Sequence, residues 1–156
     1  MSTPDYKAAR AAIVELVNAA AFTVAGEPVV AKGGWTDVAA FRKLQGLRVR
    51  VLPRTLDEGE DGTRAGKWSE LAFAVHVTAP VDPDDTDAVD ALIDLELAIR
   101  DLFIKTPVIG GQDRVEVGIG GGTGELYAES LLLERRTFHA SIELTLDDPP
   151  DTSLVS

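Results

Sequence analysis

Between residues 84 and 104 the apolar side chains recur at helical spacing. Ala88, Leu92, Leu95, Ile99 and Leu102 are separated by 4, 3, 4 and 3 positions. At 100° per residue they form one stripe, widened by Ala91 and Phe103. Asp84, Asp85 and Asp87 stand where a helix N-terminus favours caps and negative charge. Pro107 enforces an end. The pattern predicts a helix over 84–104. Ile93, Leu97 and Ile104 form a second apolar row on roughly the opposite side of it, with Asp90, Asp94 and Asp101 in the wedge between. A helix lying on one sheet needs only one apolar face. The second row therefore needs cover, either from another segment of this chain or from a neighbouring subunit.

The remaining pattern reads as helix and strands in turn. Residues 4–21 carry Tyr6, Ala9, Ile13, Leu16, Val17 and Ala20 on one side, with Pro4 favourable in the first turn. Phe22 to Val24 is a short extended piece, broken by Gly26 and Pro28. After a turn at Gly33–Gly34, Thr36 or Asp37 can cap a short helix through Val38, Phe41 and Leu44 to Gly46. Trp35 and Phe41 are expected as core anchors at the sheet edge. Residues 47–52 alternate as a strand, stopped by Pro53, with Arg48 and Arg50 on the face away from the core. Those arginines face water or a partner, and ion pairs within or between subunits suit them better than a substrate. Residues 71–78 are a second strand, expected antiparallel to the first. Val115 to Ile119 is a short strand. Residues 131–146 are the last, with Phe138, Ala140, Ile142, Leu144 and Leu146 on one face and Thr137, His139, Ser141, Glu143 and Thr145 on the other. Leu131, Leu132 and Leu133 break the alternation, so a bulge, a bend or burial on both sides is expected there.

Residues 53–70 read as a long polar connector, an arm between the first two strands. Connectors of this length inside one domain are functional or disordered. Its candidate partner-docking residues are Arg54, Asp57, Glu58, Glu60, Asp61, Arg64, Lys67 and Trp68. A calcium loop fails, because Gly59 occupies the third position and Trp68 the place of the bidentate Glu. The Asp cluster that starts at Asp82 fails too, with Asp87 at the sixth position and Ile93 at the twelfth; helix capping explains it better. The glycines between Gly118 and Gly124 match neither dinucleotide nor phosphate fingerprints, and a flexible turn is expected.

Composition narrows the function. The 156 residues suit one α+β domain over 1–146, with a flexible tail over 147–156. A formal charge of −11 disfavours wrapping nucleic acid by phosphate neutralisation, though it does not exclude a protein past which DNA slides without sticking. Without cysteine there is neither a disulfide framework nor thiol chemistry. No apolar run has the length of a membrane span, and no signal peptide is apparent. His76 and His139 sit on strand faces opposite the core and would be neighbours if those strands pair. Two histidines alone seldom make a metal site, and no catalytic motif accompanies them. No catalytic, cofactor or metal residue is expected, and the chain does not read as an enzyme.

The order of elements and the stretches LRVRVLPRT (47–55), LAFAVHVTAP (71–80), DAVDALIDLELAIRDLF (87–103) and RRTFHASIELTL (135–146) resemble the tail-terminator, or tail-completion, proteins of long-tailed phages. Residues 105–130 carry no match. The resemblance implies an α+β fold with a mixed or antiparallel sheet of about four strands, packed by the N-terminal and central helices. It implies a homohexameric ring that caps the tail tube, binds the head connector and passes DNA without specific binding. Such a protein is assembled in the host cytoplasm and resides in the virion at the head–tail interface. Ile93, Leu97 and Ile104, with Arg48 and Arg50 as charge partners, are the expected subunit interface. A head-completion, stopper or other minor tail or neck protein is an alternative. An alternative of another class is a small ligand-binding or enzymatic domain using the His76/His139 face.

Overall fold

A computed structural model describes residues 6–35, 46–60, 67–106, 109 and 114–148. The chain is α+β. Helix α1 (Tyr6–Ala19) precedes a small antiparallel pair, β1 (Thr23–Val24) and β2 (Glu27–Pro28). Then come β3 (Ala31–Gly33), β4 (Arg48–Glu60), β5 (Lys67–Pro80), α2 (Thr86–Ile104), β6 (Arg114–Ile119), α3 (Glu129–Arg135) and β7 (Thr137–Asp148). The main sheet has five strands rather than about four, in the order β3-β4-β5-β7-β6. It is mixed: β3 runs parallel to β4, and every other pair is antiparallel.

Side-chain period explains the layers. Val49, Val77 and Ala140 are register partners across three strands, as are Val51, Val75 and Ile142. All six are buried, and Phe73, Leu144, Leu71 and Leu146 extend the same face. α1 adds Ala9, Ile13 and Val17 to this core; α2 adds Leu92, Leu95, Ile99 and Phe103. Both helices thus cover one side of the sheet. Asp85 caps α2 through its Oδ1, which accepts from the Ala88 N–H at 3.1 Å, so the expected capping role of the Asp cluster holds.

Several expectations are corrected. Pro53 does not stop the strand. The β4–β5 ladder continues to Glu60↔Lys67 and absorbs the disturbance with a register shift between Pro53 and Thr55. Proline fits there because β3 pairs with β4 only at residues 49–51, leaving that edge without a ladder partner among the described residues. Most of the expected 53–70 connector is therefore paired strand, and only 61–66 lies outside the described residues. Leu131–Leu133 belong to α3, not to the final strand. Arg136 closes that helix in the left-handed region (φ 50°) and turns the chain into β7. β7 runs to Asp148, two residues into the segment read as a tail. Trp35 is 60% exposed rather than a core anchor. It lies against Tyr6, with ring centroids 5.2 Å apart, and under the Arg10 guanidinium. The short helix expected through Val38, Phe41 and Leu44 lies outside the described residues.

Candidate assembly surfaces

The outer side of α2 follows from its spacing. With Leu92, Leu95, Ile99 and Phe103 turned into the core, Ile93 is half-buried against that core and so partly covered by its own chain, Leu97 is half-buried outside the cluster, and Ile104 is 61% exposed. Beside this row Asp90 and Asp94 are exposed and Asp101 is half-buried. Arg100, the helix's only basic residue, is held by Asp101 at 2.9 Å. Apolar surface and negative charge thus run side by side along the helix.

A residue that sequence reasoning missed lies under this surface. Glu96 is fully buried in the inward face of α2, and neither carboxylate oxygen has a hydrogen-bond partner among the described residues. Burial pushes its pKa from 4.5 up to about 7, with the Arg100 charge pulling the other way. Desolvation dominates because a lone carboxylate loses its hydration and gains no donor in exchange. The signal was available: Leu92, Glu96, Ile99 and Phe103 follow the core's own 4, 3, 4 spacing.

The sheet face turned away from α1 and α2 is polar, with Lys32, Arg48 and Arg50 at its β3–β4 side and Glu116 and Glu143 at its β6–β7 side. Register aligns Arg48 with Thr78 and His139, and Arg50 with His76 and Ser141; Lys32 of β3 stands beside Arg50. Arg48 and Arg50 are half-buried, and Lys32 and Arg54 are exposed. Arg54 is the extra residue at the β4 irregularity, and its Nη2 donates to His76 Nε2 at 3.1 Å. A guanidinium only donates, so Nε2 accepts and the ring proton sits on Nδ1. His139 Nδ1 shares a 2.9 Å hydrogen bond with the Thr78 hydroxyl. The two imidazoles meet edge to face, with centroids 4.7 Å apart. The expected proximity of His76 and His139 is therefore present. His76 is only 7% exposed, and one of its ring nitrogens is occupied by Arg54. Among the described residues no group of three His, Asp or Glu side chains could hold a metal ion.

The structure separates the expected arm residues. Arg54 sits at the base of the β4–β5 hairpin, on His76. Asp57, Glu58 and Glu60 lie on β4, and Lys67 and Trp68 on β5; Asp61 and Arg64 lie outside the described residues. Pairing between β5 and β7 ends at Ser69↔Asp148. Among the described residues Lys67 and Trp68, opposite Glu60 and Gly59, therefore pair with β4 alone. From Leu52 to Glu60 the outer edge of β4 has no ladder partner among the described residues. Such an edge can template pairing with another chain; proline, acidic residues and an irregular register restrain it.

The glycine segment forms a defined turn. The Gly120 N–H donates to the Ser141 carbonyl at 2.9 Å, and that of Gly124 to the Ile119 carbonyl at 3.0 Å. Gly120 has φ +64°, and a Cβ there would stand 2.6 Å from the Glu125 carbonyl oxygen. Glycine is needed there to close the turn, and no ligand chemistry is needed to explain it.

Among the described residues no helix is long and apolar enough to cross a membrane. No protein-family model matches the chain, and no curated protein matches its sequence.

Proposed function

We propose that this chain is a structural virion subunit that assembles into a ring, caps the tail tube of a long-tailed phage and joins it to the head connector. The observation that carries the proposal is the outer row of α2. A helix already anchored by Leu92, Leu95, Ile99 and Phe103, with Ile93 packed against the same core, still presents Leu97 and Ile104 beside a line of aspartates. A helix–protein contact along this side would bury Leu97 and Ile104 together. The β4–β5 ribbon supports the reading as a projection able to reach a tube or connector subunit. The layout resemblance to tail terminators supplies the ring and its place in the particle. The net charge of −11 suits a passage that DNA crosses without adhering.

A small-molecule site on the His76/His139 face is the competing reading, favoured by the 4.7 Å approach of the two rings. The buried His76 ring and its hydrogen bond to Arg54 make these histidines part of the sheet's own packing instead. Complementation decides between the two. Phage particles lacking this subunit should accumulate unjoined heads and tails, and purified protein should restore joining. Restoration by a Leu97→Asp protein that cannot form rings would overturn the proposal.

A further inference from the structure

Glu96 and Arg100 stand four positions apart on α2. A Glu followed four residues later by Lys or Arg is the favourable order for a helical ion pair, because both side chains share one ridge. That pair is not made. The Arg100 guanidinium instead donates to Asp101 Oδ1, from Nε at 3.2 Å and from Nη2 at 2.9 Å. Sequence neighbours on a helix point about 100° apart, so this contact is the one that spacing does not favour. Both Glu96 oxygens are left buried without a partner, which suits the neutral acid and not the carboxylate. The path of the Arg100 side chain also matters. Going round the axis from Arg100 to Asp101, Ile104 lies at about 40° and Leu97 at about 60°. The guanidinium therefore reaches Asp101 across the gap between Leu97 and Ile104.

We infer that Arg100 is a strap shared between two carboxylates: it closes on Asp101 while Glu96 keeps its proton, and swings inward to Glu96 when that proton leaves to water, clearing the row of Leu97 and Ile104. The surroundings of Glu96 leave Arg100 as its partner. α2 packs on β6, β7 and β1. β6 and β7 turn Val115, Val117, Leu144 and Leu146 toward the helices, with Glu116 and Glu143 on the far face. β1 brings Thr23 and Val24. On α2 itself the residues one turn away are Leu92, Ile93, Ile99 and Arg100. Among the described residues Arg100 is the charge that acts on Glu96. The exchange follows from what each acceptor offers. Asp101 is half in water, so its ion pair is weak and easily given up. An ionised Glu96 has no water, so a guanidinium gains more by meeting it. Burial holds the Glu96 carboxyl at about 7, which sets the exchange near neutral pH. Below that pH the strap screens the apolar row, and above it the row stands open. The device operates within the single chain, whatever its outer side meets.

The test is an NMR titration of the full chain in dilute solution from pH 5 to pH 9, following the Glu side-chain carboxyls and the arginine Nε–H signals. The Glu96 carboxyl should titrate near pH 7, and the Arg100 Nε–H signal should move with the same midpoint. In Glu96→Gln the Arg100 signal should stay constant over the whole range, because its partner remains Asp101. Arg100→Gln should raise the Glu96 midpoint by about one pH unit, a tenfold loss of acidity. An Arg100 signal that ignores the Glu96 titration overturns the inference. So does a Glu96 midpoint that Arg100→Gln leaves unmoved, or one that lies in the ordinary carboxylate range. Circular dichroism checks that each protein is folded. Where Glu96→Gln does not fold, Asp101→Asn replaces it. Freed from its outer partner, Arg100 should then lower the Glu96 midpoint, and an unmoved midpoint overturns the inference.

Discussion

Glu96 makes the stability of this chain depend on pH in an unusual direction. Its pKa is raised from 4.5 to about 7 in the fold, so between those values the folded chain holds a proton that the unfolded chain has released. Its favourable linkage is fully present below pH 4.5 and is lost as pH rises through about 7. The span amounts to roughly 3 kcal/mol. Chemical denaturation at pH 5 and pH 8 should show the loss. Glu96→Gln should flatten that difference, and an unchanged slope would place the titrating group elsewhere. Arg136 offers a second test. It occupies the left-handed region at φ 50°, where a side chain costs energy. Arg136→Gly should raise stability by about 0.5–1 kcal/mol in urea unfolding. At this scale the sequence misled in one recurrent way. Apolar size points Trp35 to the core, yet it lies exposed against Tyr6 and Arg10. Glu96 was passed over for its charge, although its spacing placed it among Leu92, Ile99 and Phe103.

Elements with a strong period were legible. The stripe of α2, the alternation in β7 and the antiparallel pairing of β4 with β5 all follow from residues that bury on one face. Elements governed by local exceptions were not. Pro53 looks like a strand end until one knows that β4 has no ladder partner on that side among the described residues, and that is a property of the sheet. Leu131–Leu133 looks like broken alternation; in fact it is a separate short helix whose end is set by Arg136. The polar residues 53–60 lack a hydrophobic face, so nothing in them announces a strand; their ladder with β5 supplies it. The turn after β6 can be tested directly. Gly120→Ala would set a methyl 2.6 Å from the Glu125 carbonyl oxygen at a positive φ. A loss of about 1–3 kcal/mol is expected in denaturant titration, with β6–β7 pairing disturbed in amide exchange.

For the whole molecule, the sheet brings together residues that no single segment joins. Arg48, Arg50, Arg54, His76 and His139 come from three strands. Only the order β4-β5-β7 makes them neighbours on one sheet face. Periodicity could place each of them away from the core, but not beside one another, since pairing order is a long-range property. The apolar and acidic rows of α2 are visible in the sequence because both lie on one helix. Leu97→Asp should leave the fold intact, with a change in unfolding free energy of at most about 1 kcal/mol, because Leu97 is half-buried and outside the main cluster. It should nonetheless keep the protein monomeric, and a cooperative unfolding curve beside a light-scattering mass checks both halves. The most direct test of ring assembly is the mass of the unmodified protein, followed by light scattering from micromolar to near-millimolar subunit concentration. The account predicts a rise from 16.6 kDa toward six times that value, about 100 kDa. A mass that stays at one subunit throughout, or that stops at two, would contradict it.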